Sequence, residues 1–167
     1  MPIDTNLLRQ ALGSVPTSVC AITARTRPGS AVAMIVGSFC SISLDPPLVG
    51  FFPARSSETW NAMRDTQEFT VNVLDVTQHE LCKALSAKGP KPYDTLLASD
   101  SAKGPIRLAE AVAWIDCTLH AIVEAGDHEL VMGRVIELSA TASGRPMIFH
   151  RGQFSSLHPS EAQFTVG

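Results

Sequence analysis

Apolar and polar positions alternate along most of this chain, and the alternation predicts strands. Successive side chains on a strand face opposite sides, so a repeat of two marks a half-buried ribbon. Residues 40–44 carry that repeat, with Cys40, Ile42 and Leu44 on one face and Ser41 and Ser43 on the other. Asp45-Pro46-Pro47 ends the strand, since prolines offer no N–H and hold the backbone extended. The wholly apolar run 48–52 predicts a strand buried on both faces, and Pro53-Ala54-Arg55 breaks it. Residues 15–26 and 31–36 form a strand pair around the turn residues Arg27-Pro28-Gly29-Ser30. Phe69, Val71 and Val73 mark one further strand face, and Ile115, Cys117, Leu119, Ala121 and Val123 another. Residues 130–138, 147–150 and Phe154 continue the series, with turns at Gly126-Asp127-His128 and Arg151-Gly152.

Helices are few. Asp4 or Thr5 caps a first one whose Leu7, Leu8, Ala11 and Leu12 share a face, ended by Gly13. Ser56-Ser57 caps a second from about Glu58, which carries Trp60 and Met63. Thr77-Gln78-His79-Glu80 has the form of a capping box opening a third, with Leu81, Ala84 and Leu85 on its buried side. Many short strands with few helices predict a mainly β, closed architecture.

The composition narrows the function. A chain of 167 residues is expected to be a single domain over residues 1–167. With 45% hydrophobic and 17% charged residues its surface is rather apolar, which favours a homo-oligomer. A net charge of −3 argues against a nucleic-acid partner. No apolar run approaches the ~18 residues of a membrane span, and no signal-peptide succession opens the chain. Cys20, Cys40, Cys82 and Cys117 are scattered, as buried free thiols in a reducing cytoplasm would be, and no ligand cluster suggests a metal.

Candidate chemistry gathers in residues 31–59. The first turn of a helix presents unpaired N–H groups, and Arg55, Ser56 and Ser57 add a cation and hydroxyls suited to phosphate. The plainer reading leaves Ser57 as a cap and Arg55 solvated. Beside them, Gly37-Ser38 precedes a strand with two hydroxyls on one face. There is no Ser-His-Asp order, no G-x-S-x-G and no paired carboxylate site, so the protein supplies no obvious nucleophile or general acid. No G-x-G occurs, hence no dinucleotide fingerprint.

The run Ser38-Phe39-x-Ser41-x-Ser43-Leu44-Asp45-Pro46-Pro47-Leu48-Val49 closely resembles the signature of the flavin reductase-like domain family. Arg55-Ser56-Ser57, Phe69-x-Val71-Asn72-Val73-Leu74, Gln78, Gly126-Asp127-His128, Gly133-x-Val135 and Arg151-Gly152-x-Phe154 match in order. The resemblance implies an FMN-binding split β-barrel with a few flanking helices, and a homodimer with flavin in a groove between subunits. It implies reduction of FMN or FAD by NADH or NADPH, and delivery of the reduced flavin to a separate monooxygenase. Met34, Ile35, Val36, Ser38, Ser41 and Ile42 fall where the family touches flavin, much of it through backbone amides. Arg55, Ser56 and Ser57 fall on its phosphate turn, Lys88 on a loop facing the same phosphate, and His128 beside the ring where nicotinamide stacks. Met34-Ile35-Val36-Gly37 departs from the usual Gly-x-Thr-x-Asn-type run, which removes two side-chain donors. His150 stands where relatives often carry tyrosine. These departures keep two alternatives open: a flavin carrier without reductase activity, and a related split-barrel oxidase.

Overall fold

The computed structural model describes residues 3–26, 29–87, 89, 91, 93 and 104–157. Its strands are β1 (Thr17–Ser18), β2 (Cys20–Arg25), β3 (Ala31–Val36), β4 (Cys40–Leu44), β5 (Pro47–Phe51), β6 (Glu68–Val73), β7 (Ala113–Ala125), β8 (His128–Ala140), β9 (Met147–His150) and β10 (Gln153–Ser156). The α-helices are α1 (Thr5–Leu12), α2 (Glu58–Met63) and α3 (His79–Ser86). Seven strands pair antiparallel in the order β3-β2-β6-β7-β8-β5-β4, and β1, β9 and β10 make a small second sheet.

The order of the large sheet dictates its shape. β3 and β4 stand at opposite edges, yet only residues 37–39 join them. A link that short spans at most about 14 Å from Val36 to Cys40. The sheet must therefore curl until its edges approach, but β3 and β4 do not pair, so the barrel stays split along that seam. α2 packs against β3 there and sends Trp60 and Met63 into the interior.

β2 is buried on both faces, which divides the apolar residues into two cores. Cys20, Ile22 and Ala24 face the barrel interior with Phe51, Phe69, Val71 and Val131, while Val19 and Ala21 face Leu74, Cys82, Leu85 and Met147 outside it. Burial pushes the Cys20 thiol up to about 11 and the Cys117 thiol to about 12, so both stay protonated and inert at neutral pH. Asn72 ties the wall to the segment before β7: its amide donates to Thr23 Oγ1 at 3.0 Å, and its oxygen accepts from Leu108 N at 2.8 Å.

Several local expectations change. Residues 15–26 form β1 and β2 rather than one strand. β4 is an exposed edge strand, not a half-buried one: a bulge between Ser41 and Ser43 breaks its alternation, and Leu44 is 90% exposed. In β7 a bulge between Leu119 and Ala121 shifts the pattern, so Ile122 packs inward and Val123 turns out. The capping box lies two residues earlier than expected, with Asp75 and Gln78 closing a 3-10 turn (Val76–Gln78) that leads into α3. Among the cysteines Cys40 is exposed and the other three are buried. α1 forms as expected, capped by Asp4, but none of its residues is buried.

The interior has no room at Gly133, on β8. A Cβ there would fall on the Phe69 ring and stand 2.9 Å from Cys117 Cβ. Gly133→Ala should cost about 1–3 kcal/mol through overpacking. Urea unfolding should show a lower midpoint with an unchanged slope; an unshifted midpoint would mean the core yields freely at this point.

Candidate functional site

The chain leaving β5 collects most of the residues singled out in the sequence. At its start Ser38 Oγ accepts the Phe52 N–H at 3.0 Å and donates to Phe52 O at 3.4 Å, which holds the β3–β4 link against the end of β5. Further along, the opening of β8 is laid beside residues 53–55. Glu129 N donates to Pro53 O at 3.0 Å, Ala54 bridges to His128, and Arg55 N donates to Asp127 O at 3.0 Å. Ser57 then takes an extended conformation, and its Oγ accepts Trp60 N–H at 3.2 Å to cap α2. Ser38, Arg55, Ser56, Ser57 and His128 are thus strung along residues 52–57 by hydrogen bonds, although they come from three distant parts of the chain.

The donors along this stretch are open. The Arg55 side chain is 52% exposed, and among the described residues it makes a single ion pair, a 3.8 Å contact with Glu124, itself 79% exposed. A solvated pair of that length holds the guanidinium weakly. Ser56 is exposed, and Ser57, whose oxygen is used in the cap, keeps its O–H to donate. Flavin needs donors at its ring edge and cationic or hydroxyl groups at its tail, and this donor set fits both. A groove of about 950 Å³ lies elsewhere, lined by Thr23, Arg25, Phe69 and the carboxylates Asp65, Glu68, Asp116 and Glu137. None of the expected flavin-contact residues lines it, and two of its carboxylates, Asp116 and Glu137, are paired with Arg107.

His128 is oriented by its neighbour. Its Nδ1 stands 2.7 Å from Asp127 Oδ1, and this hydrogen bond holds the Asp127 carboxyl below the usual carboxylate range. An ionised carboxylate only accepts, so Nδ1 carries the hydrogen and Nε2 is the acceptor nitrogen of the neutral ring.

A model of the flavin reductase-like domain matches residues 12–158. The chain belongs to the flavin reductase-like domain family. It is 42% identical over 155 residues to a flavin reductase of Pseudomonas putida, covering 93% of this chain and 91% of the relative. It is 35% identical to the reductase subunit of a flavin-dependent monooxygenase of Rhodococcus jostii, covering 95% and 81%. It superposes with a TM-score of 0.83, at 27% identity and over 97% and 99% of the two chains, on an NADH:FAD oxidoreductase of Streptomyces globisporus solved with NAD and FAD fragments. This family member is a mainly β split barrel, an oxidoreductase and a flavin reductase.

The remaining site residues of this flavin reductase divide by how they can reach a ligand. Met34 and Val36 turn their side chains into the barrel and Ile35 into the outer core, which leaves only backbone for contact. That backbone is available because β3 is an edge with sheet bonds on one side only. One of its carbonyls, Ala33 O, is taken by the Tyr93 hydroxyl at 3.2 Å. Ser41 is exposed on the other edge, and Ile42 lies over Gly50, where a Cβ would come within 2.7 Å of its Cδ1. Lys88 lies outside the described residues. Among the described residues no cluster of three or more potential ligands could hold a metal, and no helix is long and apolar enough to cross a membrane.

Sequence reasoning missed three contributors: Phe52, the orienting role of Asp127, and Glu129, which is 6% exposed. Only Asp127 had a signal, a carboxylate directly before a histidine. The Asp127–His128 bond gives a pH prediction. Asp127 has a depressed carboxyl pKa in the fold, so the pair's contribution is present above the ordinary carboxylate value, about 3.9, and is lost as pH falls through the depressed one. Carboxyl-carbon NMR should show Asp127 titrating below that value and His128→Ala restoring it; an unmoved midpoint in the variant would break the link.

Proposed function

We propose that this chain works as a single domain over residues 1–167, in a cytoplasmic homodimer. It reduces FMN or FAD with NADH or NADPH and releases the reduced flavin to a separate oxygenase component. The reductase subunit among its relatives supports the oxygenase partner. The buried free thiols suit a reducing compartment, and the exposed apolar face of α1 suits a second subunit. The observation that carries the reading is the convergence of Ser38, the Arg55–Ser57 turn and His128 on the six residues after β5.

Bound flavin supplies the acceptor ring, whose N5 takes the hydride from nicotinamide C4. The chain binds, orients and excludes water. Ser38 and the backbone edges around Met34, Ile35, Val36, Ser41 and Ile42 hold the ring edge. Arg55, Ser56 and Ser57, with Lys88 as a further cation, hold the phosphate. His128 Nε2 accepts from the nicotinamide carboxamide, and a protonated His128 would instead stabilise negative charge on the reduced ring.

Purified protein should consume NADH or NADPH rapidly only when FMN or FAD is added. A second reading, a carrier without turnover, draws on Val36 and Gly37, which bring no side-chain donor. A tightly yellow protein that consumes no nucleotide would establish it in place of the reductase. His128→Ala should slow hydride transfer about tenfold, the loss of one hydrogen bond to a charged or polarised group, and leave flavin affinity unchanged. Unaltered stopped-flow rates would remove His128 from the site. Arg55→Ala should weaken FMN tenfold or so while sparing riboflavin, which has no phosphate. Equal losses in fluorescence titrations would mean that Arg55 does not hold the tail.

A further inference from the structure

Glu129 follows His128 directly, and the reductase reading gives it no role. Its side chain is buried, and both of its oxygens are committed to the same helix. Oε2 accepts from Trp60 Nε1 at 2.6 Å, and Oε1 accepts from Arg64 Nη2 at 3.2 Å. Trp60 is the residue whose backbone N–H is capped by Ser57, and its ring stands edge-on to Phe51 with centroids 6.0 Å apart. The main chain of Glu129 grips the other side, with its N–H on Pro53 O. One residue therefore holds the chain entering the Ala54–Ser57 turn through its backbone and the helix leaving that turn through its carboxylate.

Burying a carboxylate is costly unless it is paired, and an apolar residue of similar volume often stabilises a fold as well or better. What the carboxylate adds is direction. Two hydrogen bonds, one to Trp60 in α2 and one to its C-cap Arg64, fix both the helix's distance from β8 and its rotation, and so fix where Arg55, Ser56 and Ser57 point relative to His128.

We infer that Glu129 is a positioning residue that sets the geometry of the phosphate-holding turn through Trp60 and Arg64, and thereby the preference of this site for phosphorylated over unphosphorylated flavin. The inference rests on the proposed assignment of that turn to the flavin tail. A residue that only stabilised the fold would leave the preference intact, because FMN and riboflavin share their ring contacts.

Fluorescence titration of the full chain with FMN and with riboflavin tests it. Glu129→Ala should weaken FMN about tenfold and riboflavin less than twofold, collapsing the ratio between them. Glu129→Gln keeps an oxygen for the Trp60 N–H and should recover part of the ratio. Trp60→Phe removes one donor from an otherwise intact core, and should shift the ratio in the same direction if Glu129→Ala does not fold. Parallel loss of both ligands, or no loss, in Glu129→Ala and Trp60→Phe overturns the inference. Arg55→Ala separates the two levels. If it abolishes discrimination while the Glu129 and Trp60 variants do not, positioning fails and the turn's assignment stands. If Arg55→Ala also leaves discrimination intact, the assignment falls and the inference with it.

Discussion

Everything at the candidate site hangs on one short length of backbone held from two sides. Residues 52–55 leave β5 with their peptide groups unpaired within the sheet, and buried or half-buried peptide groups must find partners. Ser38 takes the Phe52 N–H, and the first residues of β8 take Pro53 O and Arg55 N. These bonds satisfy the backbone, and in doing so they fix which side chains become neighbours. A hydroxyl from the β3–β4 link, a cation from the turn and an imidazole from the β7–β8 hairpin are set beside one another because each comes attached to a group that this backbone needs.

The split in the barrel and this clamp belong together. Residues 37–39 must cross from one sheet edge to the other, so Ser38 lies where the barrel fails to close. α2 fills part of the gap by sending Trp60 and Met63 inward, and Glu129 answers the one polar group that Trp60 carries with it. A slot between two unpaired strand edges offers backbone donors and acceptors without any special side chain. On the proposed reading, Met34, Ile35 and Val36 would contribute position rather than side-chain chemistry.

The sequence was most readable where local rules act alone. Asp4, Gly13 and Ser57 marked helix ends because capping depends on a few adjacent residues. The β7–β8 hairpin followed from Gly126, whose φ of +70° suits a residue without Cβ. Alternation failed at Ser41–Ser43 and at Leu119–Ala121 because a bulge adds a residue to one strand and reverses the faces beyond it, and nothing in the residue types announces one. Cys40 was expected to be buried because its strand alternates, but an edge strand need not bury either face. Of the candidate site, the Arg55–Ser57 turn and the Gly126-Asp127-His128 turn were legible as motifs. Their adjacency was not, since it depends on backbone bonds between residues 53–55 and 127–129. Glu129 could not be found at all: a glutamate next to a turn normally reads as solvated surface.

The departure at Gly37 bears on how firmly flavin is held. A Cβ at this position would lie 2.8 Å from Thr17 Oγ1, so a longer side chain there would crowd that hydroxyl. A side chain at position 37 would have to move the Thr17 hydroxyl, and Val36 is packed into the barrel interior. On the proposed reading, the ring edge is held by Ser38 and by backbone groups of two free strand edges, and the only fixed charge is at the tail. Neutral backbone hydrogen bonds contribute about 0.5–1.5 kcal/mol each in net terms, too little for a few of them to retain a cofactor permanently. A site built this way exchanges its flavin, which is what delivery to a second protein requires and what a storage protein must avoid. On that reading, the same loss of side-chain donors that first suggested a carrier weighs toward a reductase that releases its product.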